Sequence, residues 1–149
     1  MIPVIYISGG CRSGKSQEAE KQAMAFPAPR AYIATAEIFD HEMQERVRLH
    51  RQQRGDAFHT REAPINLAAA LHSLPTDTGV ALVDCLTVWL GNLFHHQGEE
   101  FFEDCKEIRE FLDVLRDPPC PLILEQRVGD GNRPRKCPFP SLSGCCRPP

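Results

Sequence analysis

The stretch Val4-Ile-Tyr-Ile-Ser-Gly-Gly-Cys-Arg-Ser-Gly-Lys-Ser16 decides the fold that the sequence predicts. The β-branched and aromatic run from Pro3 to Ser8 is typical of a buried parallel strand, and it stops at two glycines. The residues that follow, Ser13 to Phe26, are rich in helix formers and place Ala19 and Ala23 at helical spacing. A glycine-rich turn therefore joins a strand to a helix.

The glycines, lysine and serine of this turn have the Gly-x-x-x-x-Gly-Lys-Ser spacing of a P-loop. In such a loop consecutive backbone N–H groups face phosphate oxygens, and the helix N-terminus adds partial positive charge. Lys15 is expected to reach the β- and γ-phosphates of a nucleotide, and the Ser16 hydroxyl to bind Mg²⁺. The predicted nucleotide-binding residues in the loop are Gly9, Gly10, Cys11, Arg12, Ser13, Gly14, Lys15 and Ser16.

A P-loop needs a second contact to magnesium, usually a carboxylate at the C-terminal end of a neighbouring strand. Asp84 follows the apolar run Val80–Val83 and precedes a turn into a helix, so it is predicted to provide that carboxylate. The alternative is that Asp84 caps the helix that follows.

Strands and helices are predicted to alternate along the rest of the chain. Further strands are predicted at 30–36, 79–87 and 121–124, and further helices at 40–55, 65–74, 88–96 and 99–117. This alternation predicts a single α/β domain with a mainly parallel sheet flanked by helices.

Composition argues against several other classes of protein. The chain has 149 residues, 25% of them charged, and a formal net charge of -3, so nucleic acid is not an expected partner. The N-terminus lacks the basic and long apolar segments of a secretory signal, and no stretch approaches the length of a membrane span. We therefore expect a cytoplasmic protein. The cysteines form no Cys-x-x-Cys pair, so neither a zinc site nor a disulfide framework is expected.

Four further motifs follow the loop, and together they identify a family. They are YIATA, FDHEMQERVRLHR, HTREAPINL and LVDCLTVWLGNLF. In this order and spacing they closely resemble the bifunctional adenosylcobinamide kinase/adenosylcobinamide-phosphate guanylyltransferase family of cobalamin biosynthesis, from Ile5 to about Leu124. The resemblance implies a RecA-like P-loop fold, a homotrimer, and a reaction that uses Mg²⁺ with GTP, ATP or both as substrates; whether ATP or GTP is the phosphate donor stays open.

The resemblance also implies two linked reactions. The first phosphorylates the aminopropanol hydroxyl of adenosylcobinamide. The second transfers GMP from GTP to adenosylcobinamide phosphate, which releases pyrophosphate and yields adenosylcobinamide-GDP. Two other functions remain open: a different small-molecule P-loop kinase, and a nucleotide-binding protein without turnover.

Site residues carry over from the family motif by motif. His50 matches the histidine that is guanylylated, with Arg46, Arg48, Arg51 and Arg54 around it. The nucleotide site is implied to include Ala34, Thr35, Ala36, Arg51, Glu62 and Asp84. Glu62 could accept hydrogen bonds from the guanine edge, or be an ordinary surface glutamate. Trp89, Phe101 and Phe102 are expected in the core, and the other histidines at the surface.

The C-terminal segment departs from the family. Residues 118–149 hold eight of the thirteen prolines and four of the seven cysteines. One choice of codons from Asn132 onward, read one base later, gives Ile-Val-Pro-Glu-Asn-Ala-Leu-Ser-Arg-Arg-Phe-Arg-Asp, which resembles the family segment expected there. The interpretation is therefore an incomplete domain at 1–124 and an out-of-frame tail at 125–149. Such a chain is expected to fold poorly.

Overall fold

A computed structural model of the protein describes residues 1–10, 12–38, 41–98 and 104–128. Five strands lie within these residues: β1 (Val4–Gly9), β2 (Arg30–Ala34), β3 (His59–Glu62), β4 (Val80–Asp84) and β5 (Leu122–Arg127). The α-helices there are α1 (Lys15–Met24), α2 (His41–Arg54), α3 (Leu67–His72), α4 (Leu86–Gln97) and α5 (Lys106–Arg116), with a 3₁₀ turn at Gly55–Ala57. Among the helices of the described ranges, none is long and apolar enough to cross a membrane.

The strands form one sheet in the order β1-β5-β4-β2-β3, and every pairing is parallel. Helices separate consecutive strands, as parallel connections require. The structure therefore confirms the predicted α/β class with a P-loop NTPase-like arrangement. Since the strands share one direction, all their carboxyl ends lie at one edge of the sheet.

The sheet is covered by helices on both faces. On one face, α3, α4 and α5 bury Leu71, Trp89 and Phe111 against Val83 and Leu122 of the central strands. On the other face, α1 packs Ala19 and Ala23 against strand residues such as Leu82 and Ile123. Burial on both faces explains the continuous apolar runs Val80–Val83 of β4 and Leu122–Leu124 of β5, which made these strands recognisable in the sequence.

The prediction of four strands was one short. The additional strand, β3, has the sequence His-Thr-Arg-Glu and lies at the edge of the sheet beside β2. Its side chains are mostly exposed, so no apolar alternation marks it. Backbone pairing with Ala31–Ala34 holds this strand in place, and that pairing cannot be seen in the local sequence.

Other element predictions were confirmed with shifted ends. The helix predicted at 99–117 is present as α5 from Lys106, while Phe101 and Phe102 lie outside the described residues. Trp89 is buried as predicted, with its indole edge-on to Phe111. His41, His59, His72, His95 and His96 are exposed, also as predicted.

The last strand continues beyond the apolar run that predicted it. β5 extends past Leu124 through Glu125 and Gln126 to Arg127, and these residues pair with Ile7–Gly9 of β1. The interpretation of 125–149 as an out-of-frame tail remains a prediction, and residues 129–149 lie outside the described part of the chain.

Candidate active site

The predicted site residues are distributed along the carboxyl edge of the sheet. Gly9, Ala34, Glu62 and Asp84 are the last residues of four parallel strands, so they all lie at this edge. They do not form one compact cluster. β1 and β3 are the outer strands, and four spacings of about 4.8 Å put Gly9 and Glu62 about 19 Å apart. The part of this edge near β1 carries the glycine-rich loop and is called the loop side. The part near β3 lies beside helix α2 and is called the α2 side.

The loop after β1 has the shape that its glycines predict. Gly14 precedes α1 with φ +82°, a left-handed conformation that glycine adopts without strain. A Cβ on Gly9 would lie 2.5 Å from the Ser13 Oγ, so the loop folds back tightly onto the end of β1. Residues 12–17 line a hollow of about 290 Å³. Cys11 lies outside the described residues.

Lys15 and Ser16 meet a carboxylate that the sequence analysis did not assign to the site. Lys15 Nζ is 3.3 Å from Glu125 Oε1, and the Ser16 hydroxyl donates to the same oxygen at 2.9 Å. Lys15 is 8% exposed and Glu125 3%. Burial raises the pKa of Glu125 and nearby Asp84 raises it further, while Ser16 and Lys15 act in the opposite direction.

The signal that could have found Glu125 is the one that found Asp84. Both are acidic residues that directly follow the buried apolar run of a strand. Because β5 lies between β1 and β4, its last residues stand beside the loop. The sequence analysis placed Glu125 in the C-terminal tail, and for that reason missed it.

Asp84 is held by a tyrosine from the neighbouring strand. The Tyr32 hydroxyl donates to Asp84 Oδ2, and burial, followed by the charge of Asp84, raises the pKa of Tyr32. On the other side of Tyr32, the Arg54 guanidinium lies 3.5 Å from the ring centroid. The alternative role of Asp84 as a helix cap is not seen, since Cys85 occupies the N-cap position of α4 without a side-chain hydrogen bond.

Thr35 fastens the ends of β2 and β4 together. Its backbone N–H donates to Asp84 O at 3.0 Å, and its Oγ1 accepts from the Cys85 N–H at 2.8 Å. Asn92 of α4 then donates through Nδ2 to Thr35 O at 2.7 Å and Pro64 O at 3.0 Å. The predicted segment Ala34–Ala36 is therefore held in place from two sides.

Helix α2 carries the predicted nucleophile at the other side of the edge. His50 is exposed, one turn before Arg54, so the two share a helix face. Arg51 Nη2 is 2.6 Å from Glu62 Oε1, which ties the last turn of α2 to the end of β3. Glu62 is 54% exposed. Arg48 pairs with Glu45 on the helix surface, and the Arg46 side chain lies outside the described residues.

The described strands form a five-stranded parallel sheet, and a glycine-rich loop joins the first strand to a helix that begins with the buried Lys15. This arrangement defines a P-loop nucleotide-binding protein. The family model described as cobinamide kinase / cobinamide phosphate guanyltransferase matches residues 5–136, and the chain belongs to this family. This confirms the resemblance in the sequence analysis.

Three curated relatives are similar to the chain over more than half of its length. It is 47% identical over 118 residues to the bifunctional adenosylcobalamin biosynthesis protein CobP of Pseudomonas aeruginosa, covering 79% of this chain and 67% of that protein. It is 36% and 35% identical to the proteins named CobU of Escherichia coli and Salmonella typhimurium, over 64% and 65% of this chain. The chain spans only 52% and 53% of those two proteins.

Proposed function

We propose that the chain is a bifunctional kinase and guanylyltransferase that phosphorylates adenosylcobinamide and then transfers GMP from GTP to adenosylcobinamide phosphate. The observation that carries this proposal is the buried Lys15, followed by Ser16, at the start of α1, within a chain that belongs to this family. GTP and ATP are the expected substrates. We further propose that it works in the cytoplasm as a homotrimer, which the resemblance implies.

The loop side of the edge suits the handling of a triphosphate. The Lys15 ammonium would neutralise charge on the β- and γ-phosphates, and the backbone N–H groups at the start of α1 would donate to phosphate oxygens. The glycines at 9 and 14 allow the close backbone approach that this requires.

The residues beside the loop also suit Mg²⁺. Magnesium in such sites takes one or two carboxylates, a hydroxyl and substrate phosphates. Ser16 provides the hydroxyl, and Asp84 and Glu125 are close enough for the charge of Asp84 to raise the pKa of Glu125. When bound, Mg²⁺ would neutralise charge on the transferring phosphate. We propose Ser16 and Asp84 as its protein ligands.

His50 is the proposed nucleophile of the guanylyl transfer. An imidazole nitrogen attacks the α-phosphorus of GTP, so that an N–P bond forms, the α–β P–O bond breaks and pyrophosphate leaves. The phosphate of adenosylcobinamide phosphate then attacks the same phosphorus, and the histidine nitrogen leaves. The exposure of His50 supports access of both substrates to the ring. Arg51, the next residue, is placed to offset phosphate charge.

Glu62 is the proposed guanine contact, because it ends β3 within reach of α2. Its carboxylate already accepts from Arg51 at 2.6 Å. A carboxylate has two oxygens, so a second oxygen remains for the N1–H and N2–H₂ edge of guanine. This arrangement would place the base near the residue that attacks the α-phosphate.

The experiment that tests this function is protein labelling with α-³²P GTP. We expect the protein to acquire an acid-labile, base-stable GMP adduct, and His50→Ala to lose it while keeping nucleotide binding. His41→Ala is the matched control, since His41 is an exposed histidine on the same helix. Labelling that survives His50→Ala would refute His50 as the nucleophile. Binding without labelling would favour the alternative of a nucleotide-binding protein without turnover.

A further inference from the structure

Glu125 makes a contact that the proposed function does not use. A single carboxylate oxygen lies 3.3 Å from the Lys15 ammonium and 2.9 Å from the Ser16 hydroxyl. These are the two side chains of the loop that a P-loop offers to the phosphates and the metal of a nucleotide. The Glu125 carboxylate therefore contacts both the Lys15 ammonium, which is expected to bind phosphate, and the Ser16 hydroxyl, which is expected to bind Mg²⁺.

The contact is built into the fold and does not depend on a mobile surface side chain. Glu125 belongs to β5, where it pairs with Ile7 of β1, and β1 leads directly into the loop. Only 3% of Glu125 is exposed, so water screens its interaction with Lys15 poorly. A strand position fixes the carboxylate with respect to the loop much more tightly than a surface loop would.

We propose that Glu125 competes with nucleotide phosphate for Lys15 and thereby lowers the affinity of this chain for nucleotides. A phosphate oxygen that approaches Lys15 must displace the carboxylate or share the ammonium with it, and two anions around one cation repel each other. This inference rests on the proposed nucleotide site. It adds that the affinity of the site is set by β5 as well as by the loop.

Competition and metal binding give opposite results when Glu125 is replaced by glutamine, a neutral side chain of the same shape. In EDTA, where no Mg²⁺ is bound, loss of the competing anion should tighten GTP binding by about tenfold, the value of one charge-assisted contact. If Glu125 were instead a magnesium ligand, affinity would be unchanged in EDTA and weaker in Mg²⁺.

The experiment is calorimetric titration of GTP into the full chain, with Glu125→Gln, in EDTA and in Mg²⁺. Glu18→Gln is the charge-matched control, since Glu18 is an exposed carboxylate in the first turn of α1. Tighter binding in EDTA for Glu125→Gln and not for Glu18→Gln is expected. An equal gain in GTP affinity for both variants would mean that the effect comes from the overall charge of the protein and not from the contact with Lys15, and it would overturn the proposal.

Two further outcomes separate this inference from the proposed function. If wild type binds GTP and Glu125→Gln binds it equally in EDTA, the competition is wrong and the nucleotide site stands. If neither protein binds GTP, the nucleotide site itself is wrong. Glu125→Ser provides a second variant that also removes the charge, with thermal unfolding to establish that each protein is folded, and it must show the same tightening.

Discussion

At the scale of single residues, the site contains buried charged side chains whose charges do not cancel. Lys15 pairs with Glu125, and the charge of Asp84 also acts on Glu125, so one carboxylate interacts with both an ammonium and a second carboxylate. Charges buried in this way cost free energy unless they are paired, and they are retained where chemistry needs them. A cation or a phosphate at the loop would therefore change the charge interactions among Lys15, Glu125 and Asp84.

Lys15→Ala should abolish high-affinity binding of GTP and ATP, because it removes the charge directed at the β- and γ-phosphates. The loss is expected to reach about a hundredfold or more, the value of a charge-assisted contact made away from water. Calorimetry or a fluorescent nucleotide measures it, with Lys21→Ala on the exposed side of the same helix as the control. Unchanged affinity in a folded Lys15→Ala protein would contradict the P-loop assignment.

Spacing in the sequence predicted where several site residues lie, while their roles stay predictions. Lys15 and Ser16 begin α1, as their motif predicts, and Asp84 ends the recognisable strand β4. The contacts of Glu125 with Lys15 and of Tyr32 with Asp84 join residues far apart in the chain, so they depend on strand order. Strand order is a property of the whole sheet, which local pattern does not specify.

At the scale of elements, the buried amide of Asn92 connects α4 to the carboxyl edge of the sheet. Asn92 is fully buried, and its Nδ2 donates to the carbonyls of Thr35 and Pro64, which follow β2 and β3. These carbonyls lie beyond the paired part of each strand, so no ladder partner is available to them. One side chain thus holds the helix, the Ala34–Ala36 segment and the end of the outer strand together.

Asn92→Ala should destabilise the protein by about 2 to 4 kcal/mol, because one buried and one partly buried carbonyl lose their donor and a cavity is left. Denaturant unfolding measures this change. Asn66→Ala is the matched control: Asn66 is exposed and caps α3 without a side-chain hydrogen bond, so about 0.5 kcal/mol or less is expected. Equal effects of the two substitutions would show that Asn92 does not fasten α4.

The elements that could be predicted from the sequence are those whose burial leaves a pattern. β4 is buried along Val80–Val83, and its run of apolar residues was sufficient to find it. β3 is polar, four residues long and exposed, and its existence follows from the free backbone edge of β2. The end of β5 is similar, since Glu125–Arg127 stay in the strand through pairing with β1.

At the scale of the whole molecule, β1 lies at the edge of the sheet formed by the described strands, although its sequence is apolar. Pro3 O accepts from Leu122 N of β5 and Gly9 O from Val128 N just after it, so the alternate peptide groups of β1 face away from the described sheet. Val4 is 40% exposed and Tyr6 55%. The strand contains no lysine or proline that would discourage pairing with another chain.

The purified chain should therefore self-associate through β1 as its concentration rises. Val4→Lys should shift it towards monomer, because a charge on an edge strand opposes pairing with a second strand. Light scattering after gel filtration measures the mass. Leu112→Lys is the control, since Leu112 is equally exposed but lies on α5. Identical behaviour of the two variants would locate self-association elsewhere, and a monomeric wild type would remove the prediction.

The position of β5 between β1 and β4 also governs the order in which the molecule can be assembled. β1 and the phosphate loop are synthesised first, yet among the described strands β1 pairs only with β5, the last of them to be made. Contacts between such distant parts of a chain form slowly, because a long loop must close before they contribute. The N-terminal loop therefore gains its neighbouring strand only after β5 has been synthesised, so a change in the sequence of β5 alters the surroundings of the loop.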